Sequence, residues 1–184
     1  KNAAGWYTNP IESYTFLNDV WGMSPDDVYA VGSAGTVAHY TNGAWVLESS
    51  GITVDLWGIW GSGAIDMVAV GDKVIGDESI FRHFAVGWIH EDCNGAGHLY
   101  GVWGTAASDT VAVGAGGVVR HWDSNAWNDR DPTGFGGQDF YDVWAADSSH
   151  YFIVGTNGTV LHYDGSGGYT DMSGTVTDNL QSVW

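Results

Sequence analysis

The stretch from Leu17 to Trp45 reads Leu-Asn-Asp-Val-Trp-Gly-Met-Ser-Pro-Asp-Asp-Val-Tyr-Ala-Val-Gly-Ser-Ala-Gly-Thr-Val-Ala-His-Tyr-Thr-Asn-Gly-Ala-Trp. Short β-branched and aromatic runs alternate in it with clusters of Gly, Asp, Asn and Ser, the pattern of short strands joined by tight turns. What decides the fold is that the stretch recurs. An apolar-x-x-(Val/Ile)-Trp signature stands at Leu17–Trp21, Leu56–Trp60, Leu99–Trp103, Phe140–Trp144 and Leu180–Trp184, a period of about 41 residues.

Other landmarks keep step with it. After Trp21, Trp60, Trp103 and Trp144 comes a Val-Gly pair whose glycines are Gly32, Gly71, Gly114 and Gly155. Next come the His-aromatic pairs opened by His39, His83, His121 and His162. An aromatic then opens a last run: Trp45, Trp88, Trp127 and Tyr169. Each unit thus holds four strands in about 40 residues, A ending in Val-Trp, B ending in Val-Gly, C ending in His-aromatic and D starting with Trp or Tyr, the size of a propeller blade. A β-sandwich does not predict such repetition, and helical periodicity is missing. The spacing predicts blades at about 17–48, 56–91, 99–130 and 140–173. Trp6 precedes Trp21 by the D-to-A spacing, so 6–10 is expected to be strand D of a preceding blade, and 180–184 strand A of a following one. The expected fold is therefore all-β: a β-propeller of four four-stranded blades with a partial strand at each end. Terminal strands without partners leave open edges, so a larger ring of about six to eight blades is expected. It would be closed by further blades of a longer chain or by a second copy. The first residue, Lys1, points the same way, to a processed or excised sequence.

Composition narrows the partners. The net charge is −17, with two Lys and three Arg against 22 acidic residues. Such a surface repels nucleic-acid backbones and anionic membranes, so neither is an expected partner. No apolar run is long enough for membrane insertion. The charge suits a soluble protein in a salty or extracellular setting, hence the expectation of an extracellular, cell-surface or periplasmic location. Cys93 is the single cysteine, so no internal disulfide forms.

The first unit resembles the D-V-W-G…D-V-Y-A-V-G…G-T-V-x-H-Y…G-x-W arrays of secreted or surface bacterial propeller proteins. It is also similar to the wider BNR (Asp-box) class, which includes photosystem assembly-factor propellers and sialidases. The resemblance runs from Trp6 to Trp184 and implies a propeller. Departures bear on function. The Asp-box, Ser/Thr-x-Asp-x-Gly-x-x-Trp, is reduced here to forms such as Tyr40-Thr-Asn-Gly-Ala-Trp45. A sialidase implies three converging arginines, whereas Arg82 and Arg120 hold equivalent positions in successive blades. An assembly-factor propeller implies a basic patch, which five cations do not build.

Residues shared by every unit are expected to be architectural. Trp21, Trp60, Trp103 and Trp144 should pack between blades, and the strand-C histidines should bond within their own blades. Equivalent positions on a ring do not converge to the short distances a metal requires, so no metal site is assigned to the histidines. His90-Glu91-Asp92-Cys93 has metal-like composition, and the Asp123–Asp131 stretch suggests calcium weakly, but loop and turn chemistry accounts for both. No cofactor is expected. No G-x-S-x-G or H-E-x-x-H motif is present, so no catalytic residue is assigned.

Function belongs where the units differ. The position three before the strand-A Trp varies as Asn18, Trp57, Tyr100, Tyr141 and Gln181. Its three aromatics either fill space between blades or line a mouth of the ring. The second unit carries a five-residue insertion within Asp72–Ile80, with Asp72, Lys73, Asp77 and Glu78 as candidate ligand contacts. The link after Trp127 is longer by two and holds Gly134-Phe-Gly-Gly137. The leading expectation is a non-catalytic binding scaffold for protein or cell-surface partners. A lectin-like glycan binder using Trp57, Tyr100 and Tyr141 is the alternative, and a glycosidase-type propeller enzyme the third.

Overall fold

A computed structural model describes residues 15–74 and 79–184. The chain forms four antiparallel sheets, each a meander in sequence order. The first is β1 (Leu17–Ser24), β2 (Asp27–Gly32), β3 (Val37–Thr41) and β4 (Ala44–Glu48). The second is β5 (Leu56–Gly63), β6 (Asp66–Gly71), β7 (Ile80–Phe84) and β8 (Gly87–Glu91). The third is β9 (Leu99–Ala106), β10 (Asp109–Gly114), β11 (Val119–Trp122) and β12 (Trp127–Asp129). The fourth is β13 (Phe140–Asp147), β14 (His150–Gly155), β15 (Val160–Tyr163) and β16 (Tyr169–Asp171). Sheets touch chiefly through their first strands, β1 on β5, β5 on β9 and β9 on β13. The A strands are therefore innermost, and the sheets are four blades of a β-propeller.

The core lies between blades. Tyr29, Val31, Leu56, Ile59 and Phe81 fill the first interface. Trp60, Val68, Leu99, Val102 and Trp127 fill the second, and Val111, Val113, Phe140, Val143 and Tyr151 the third. The repeated Trp-Gly pair is the key to these interfaces. A Cβ on Gly61 would lie 2.9 Å from Trp21 Cη2, and one on Gly104 would lie 2.6 Å from Trp60 Cη2. Each indole thus rests on the residue that follows the next blade's Trp, and that residue must be small. In the fourth blade it is Ala145, whose carbonyl accepts from Trp103 Nε1 at 3.2 Å. Burying one such indole contributes about 4 kcal/mol.

The Val-Gly glycines answer a second need for space. A Cβ at Gly32, Gly71, Gly114 or Gly155 would fall 1.9, 2.3, 2.1 or 2.2 Å from the carbonyl oxygen of Phe16, Asp55, His98 or Asp139. Each of these carbonyls accepts from the residue after the glycine, Ser33, Asp72, Ala115 or Thr156, at 2.9 Å. The end of strand B is thereby stitched to the entry of strand A in the same blade.

The B–C turns tie blade to blade. Ala34, Gly116 and Asn157 turn through positive φ. Their amides donate to the side chain just ahead of the next unit's first strand position: Asp55 at 2.8 Å, Asp139 at 2.9 Å and Asn179 at 3.2 Å. The second blade's insertion replaces this turn, and there His98 Nδ1 donates to the Asp72 carboxylate at 2.9 Å. Strand D reaches back instead. Trp127 Nε1 donates to Glu91 at 2.7 Å, and the Tyr169 hydroxyl to the Arg130 carbonyl at 2.8 Å.

The strand-C histidines brace their own blades. His39 Nε2 meets Asp27 and His121 Nε2 meets Asp109, each at 2.7 Å. In the second blade Arg82 takes over, bridging Asp66 at 3.0 Å and Glu91 at 2.9 Å. His83 packs on Trp88, and His162 stacks on Phe152 at 4.5 Å.

Two features depart from the expectation. Strand A continues three residues past its Trp, because the ladder to strand B runs on to pairs such as Ser24 with Asp27. Residues 180–184 form no ladder, since no strand B stands beside them among the described residues. They are held by single contacts, Leu180 N to Gly155 O at 3.0 Å and Val183 N to Asp142 Oδ2 at 3.0 Å. The strand expected at 6–10 lies outside the described residues. At the first blade, β1 has no blade on its far side among the described residues. Val20 is 60% exposed there, whereas Ile59, Val102 and Val143 are 3, 6 and 1% exposed.

The Asp142 contact has a twin. Asp19 accepts from Ile59 N across the first interface and from Val20 N in its own strand, both at 2.8 Å. The equivalent positions in the middle blades are Gly58 and Gly101, pressed against Tyr100 O and the Asp142 backbone. Burial pushes the Asp19 carboxyl above its ordinary range, the amide bonds oppose this, and Asp142 adds to the rise.

Two outcomes follow. Gly155→Ala should lose about 2 kcal/mol or more in urea unfolding, because the new methyl meets the Asp139 backbone. Gly63→Ala, with open space around it, should stay within about 0.5 kcal/mol of the parent. Asp19, with its pKa raised on folding, contributes most to stability when protonated and loses that contribution as pH rises through the carboxylate range. Stability profiles from about pH 3 to 6 should therefore show Asp19→Asn gaining on the parent as pH rises. A constant gap would refute the assignment.

Candidate functional site

Strand A begins with a large apolar residue turned into the blade core: Leu56, Leu99 and Phe140 are fully buried. Its neighbour is thereby turned away from that core. Asn18, Trp57, Tyr100, Tyr141 and Gln181 occupy this second position, and all five line one cavity of about 510 Å³. One residue from each of five successive repeats reaches a single space. Only the innermost strands around an axis allow this, so the cavity is the mouth of the propeller on the face where strands A begin. Antiparallel alternation places the B–C turns and the D–A links on the same face.

Three rings make a continuous wall. Trp57 and Tyr100 meet edge-on with centroids 6.4 Å apart, and Tyr100 and Tyr141 are tilted at 5.9 Å. Trp57 is 36% exposed, enough to present ring surface to a ligand. Its orientation is fixed from behind: Nε1 donates to Asp72 Oδ1 at 2.8 Å, and Asp72 also meets His98 Nδ1 at 2.9 Å. Asn179 Nδ2 reaches the Tyr141 hydroxyl at 3.4 Å, and Asn18 Nδ2 donates to the Leu56 carbonyl at 2.7 Å. The Tyr100 phenol is pushed above its ordinary pKa by burial first, then by Asp139, Asp72 and Tyr141. It stays protonated at neutral pH and can donate.

The structure thus joins two features that the sequence presented separately, the aromatic position and the second-blade insertion. Asp72 stands directly behind Trp57, and Lys73 is exposed beside His98. Asp77 and Glu78 lie outside the described residues. His98 was not foreseen, although it carried a signal: it occupies the place held by Asp55, Asp139 and Asn179 in the other units. Asn18 and Gln181 complete the wall with amides.

The long link does not reach the mouth. Phe135 lines a groove of about 560 Å³ at the rim, with Asp129, Arg130, Asp131, Tyr163 and Tyr169. A repeat-related groove of about 530 Å³ lies between the second and third blades, lined by Glu91, Asp92, Trp122 and Trp127. These grooves recur at equivalent seams and hold the strand-D ties, so they are architecture despite their size. The polar clusters there are engaged likewise. Glu91 bonds Arg82 and Trp127, and Asp92 caps Asn94 N at 2.9 Å. Cys93 is buried beside Ser79. Asp123 holds its turn through the Asn125 and Ala126 amides, and Asp129 and Asp131 pair with Arg120. Among the described residues no three His, Cys, Asp or Glu side chains gather as a metal requires, and no helix is long and apolar enough to cross a membrane.

No family model and no curated protein matches the sequence. Solved structures do match in fold. YCF48 bound to D1 peptide superposes with a TM-score of 0.68 at 13% identity, over 92% of this chain and 57% of that one. YCF48 from Cyanidioschyzon merolae gives 0.67 at 12% identity, over 93% and 63%. An ancestral GH74 enzyme gives 0.65 at 11% identity, over 86% of this chain and 24% of that one. The chain therefore spans about three-fifths of the YCF48 chains it matches. At these identities the likeness is one of architecture, and it agrees with the sheets: this chain has the β-propeller fold.

Proposed function

We propose that the protein is a non-catalytic binding module that takes a segment of a partner protein at the aromatic mouth. One observation carries the reading. Five repeats keep their architectural residues and diverge at the position that lines the 510 Å³ cavity. A side chain conserved by role in every blade serves the frame, whereas divergence at one convergent position is what a specific ligand demands. Tyr and Trp suit such a surface, combining large area with little conformational freedom and a polar atom at the edge. The fold neighbour solved with a peptide bound supports the same class of partner.

Carboxylates near the mouth do not favour the hydrolytic reading. A glycosidase needs an acid and a base free to act on the bond. Asp19 and Asp142 each accept from two backbone amides, Asp139 from Gly116 N, and Asp72 from the Trp57 indole. All four are engaged in holding the frame.

Glycan binding is the second reading, and the exposed Trp57 ring favours it, because sugars stack on such faces. The two readings separate experimentally. A displayed peptide library and a glycan array are each probed with the parent protein and with Trp57→Ala and Tyr141→Ala. The protein-binding reading expects enriched peptides whose binding falls about tenfold in both variants. Sugar binding lost in those variants, with no peptide enriched, would replace it with the lectin reading.

A further inference from the structure

We infer that the occupant of the aromatic mouth is a positively charged side chain, an arginine or lysine presented by a basic peptide segment of the partner. The inference rests on the binding reading above and adds the chemistry of the ligand.

Three observations meet at this cavity. The first is the wall itself. Trp57, Tyr100 and Tyr141 form an unbroken aromatic arc, and a cation within about 6 Å of such rings is attracted by their quadrupoles. The rings touch one another, so nothing intercalates between them, and a ligand lies along the concave side. The second is what stands behind the rings. Asp72 accepts the Trp57 indole N–H, which fixes that ring in place and puts a carboxylate at its edge. Asp139 and Asp72 both act on Tyr100, and Asp19 and Asp142, each next to a mouth residue in the chain, act on one another. Around one aromatic wall the field is therefore negative. Asn18 and Gln181 complete the lining with amides whose oxygens accept hydrogen bonds.

The third observation concerns the protein's own cations. Arg82 and Arg120 are buried in ion pairs, and Arg130 is held by Tyr163. Lys73 is the one lysine among the described residues. It follows Asp72 in the chain and lies exposed beside His98, so in a chain of net charge −17 a single lysine is set against Asp19, Asp72, Asp139 and Asp142 around the mouth. The protein already uses this chemistry internally: the Arg82 guanidinium sits 4.4 Å over the Trp122 ring. An anionic or neutral apolar ligand would face the same carboxylates without compensation.

The test uses the purified chain and acetyl-Gly-Gly-Arg-Gly-Gly-amide, titrated by calorimetry and followed by amide chemical shifts. The comparison peptides carry citrulline, lysine or glutamate in place of arginine. Citrulline keeps the planar shape of arginine, removes the charge and replaces one donating amino group with a carbonyl oxygen, while lysine keeps the charge without the planar fork. The arginine peptide should bind about tenfold more tightly than the citrulline peptide, with lysine close to arginine and glutamate not binding. Trp57→Leu should abolish the preference and Asp72→Asn should weaken it, while Tyr100→Phe, which keeps the ring, should retain it. Matching circular dichroism and melting of all variants guards against misfolding. Equal binding of arginine and citrulline peptides overturns the inference. So does arginine binding that survives Trp57→Leu, because attraction to the acidic surface at large would explain it. If the library above yields neutral peptides that compete at the mouth, the binding reading stands and this inference alone falls.

Discussion

The fit of one blade's indole over the next blade's glycine is the contact on which the rest of the molecule depends. Trp21 lies on Gly61 and Trp60 on Gly104, each close enough that a single methyl would collide. The contact sets the distance between neighbouring inner strands, and with it the position of every residue near the axis. It also couples two sequence positions that look independent, since the tryptophan is useful only if its counterpart one repeat later is small. Ala145 shows the tolerance of the rule. There the preceding Trp103 turns its N–H to the carbonyl, and one methyl is accommodated.

Polar bonds refine what packing sets. The B–C turn amides of the first, third and fourth blades lean on Asp55, Asp139 and Asn179 of the next unit, so each of these turns is tied to the entry of the strand that follows. Where the second blade departs from the pattern, the substitution is coordinated. The insertion removes the turn, His98 replaces the carboxylate, and Asp72 becomes available to the Trp57 indole. An irregular blade in a regular frame is thus the origin of the fixed Trp57 ring. The strand-A carboxylates vary in the same coordinated way. Asp19 and Asp142 bridge to the next unit's amide, whereas Gly58 and Gly101 allow the backbones to approach directly.

Much of this was legible in the sequence for a physical reason. Residues that recur in every unit mark a shared local problem, so Trp21 and its counterparts and the Val-Gly glycines announce the frame, whereas of the strand-C histidines only His39 and His121 make the expected bond, and His83 and His162 pack on rings instead. The position of Trp57, Tyr100 and Tyr141 was legible because it broke the repeat. Whether these residues fill space between blades or share one cavity stayed open, since convergence depends on the inner radius of the ring, which the period does not encode. The link between Asp72 and Trp57 was hidden too, because an insertion has no counterpart from which its course can be inferred. Strand A outruns its Val-Trp signature by three residues because the tryptophan marks a packing contact, not a turn.

The distribution of charge gives the frame a functional consequence. The arginines are drawn into seams: Arg120 holds the Cys93 carbonyl at 3.0 Å, Arg82 covers Trp122, and Arg130 meets Tyr163. A guanidinium suits these places because its planar fork satisfies carboxylates and carbonyls while its face stacks on a ring. Using cations this way removes them from the outer surface, and acidic residues are left to set the long-range field. That field has little effect on the buried seams, where packing dominates, and its greatest effect where low-dielectric aromatic walls meet carboxylates, as at the mouth. The same few arginines therefore do two things: they close the blades against one another, and by their engagement in the seams they leave few cations to oppose the carboxylates at the axial cavity.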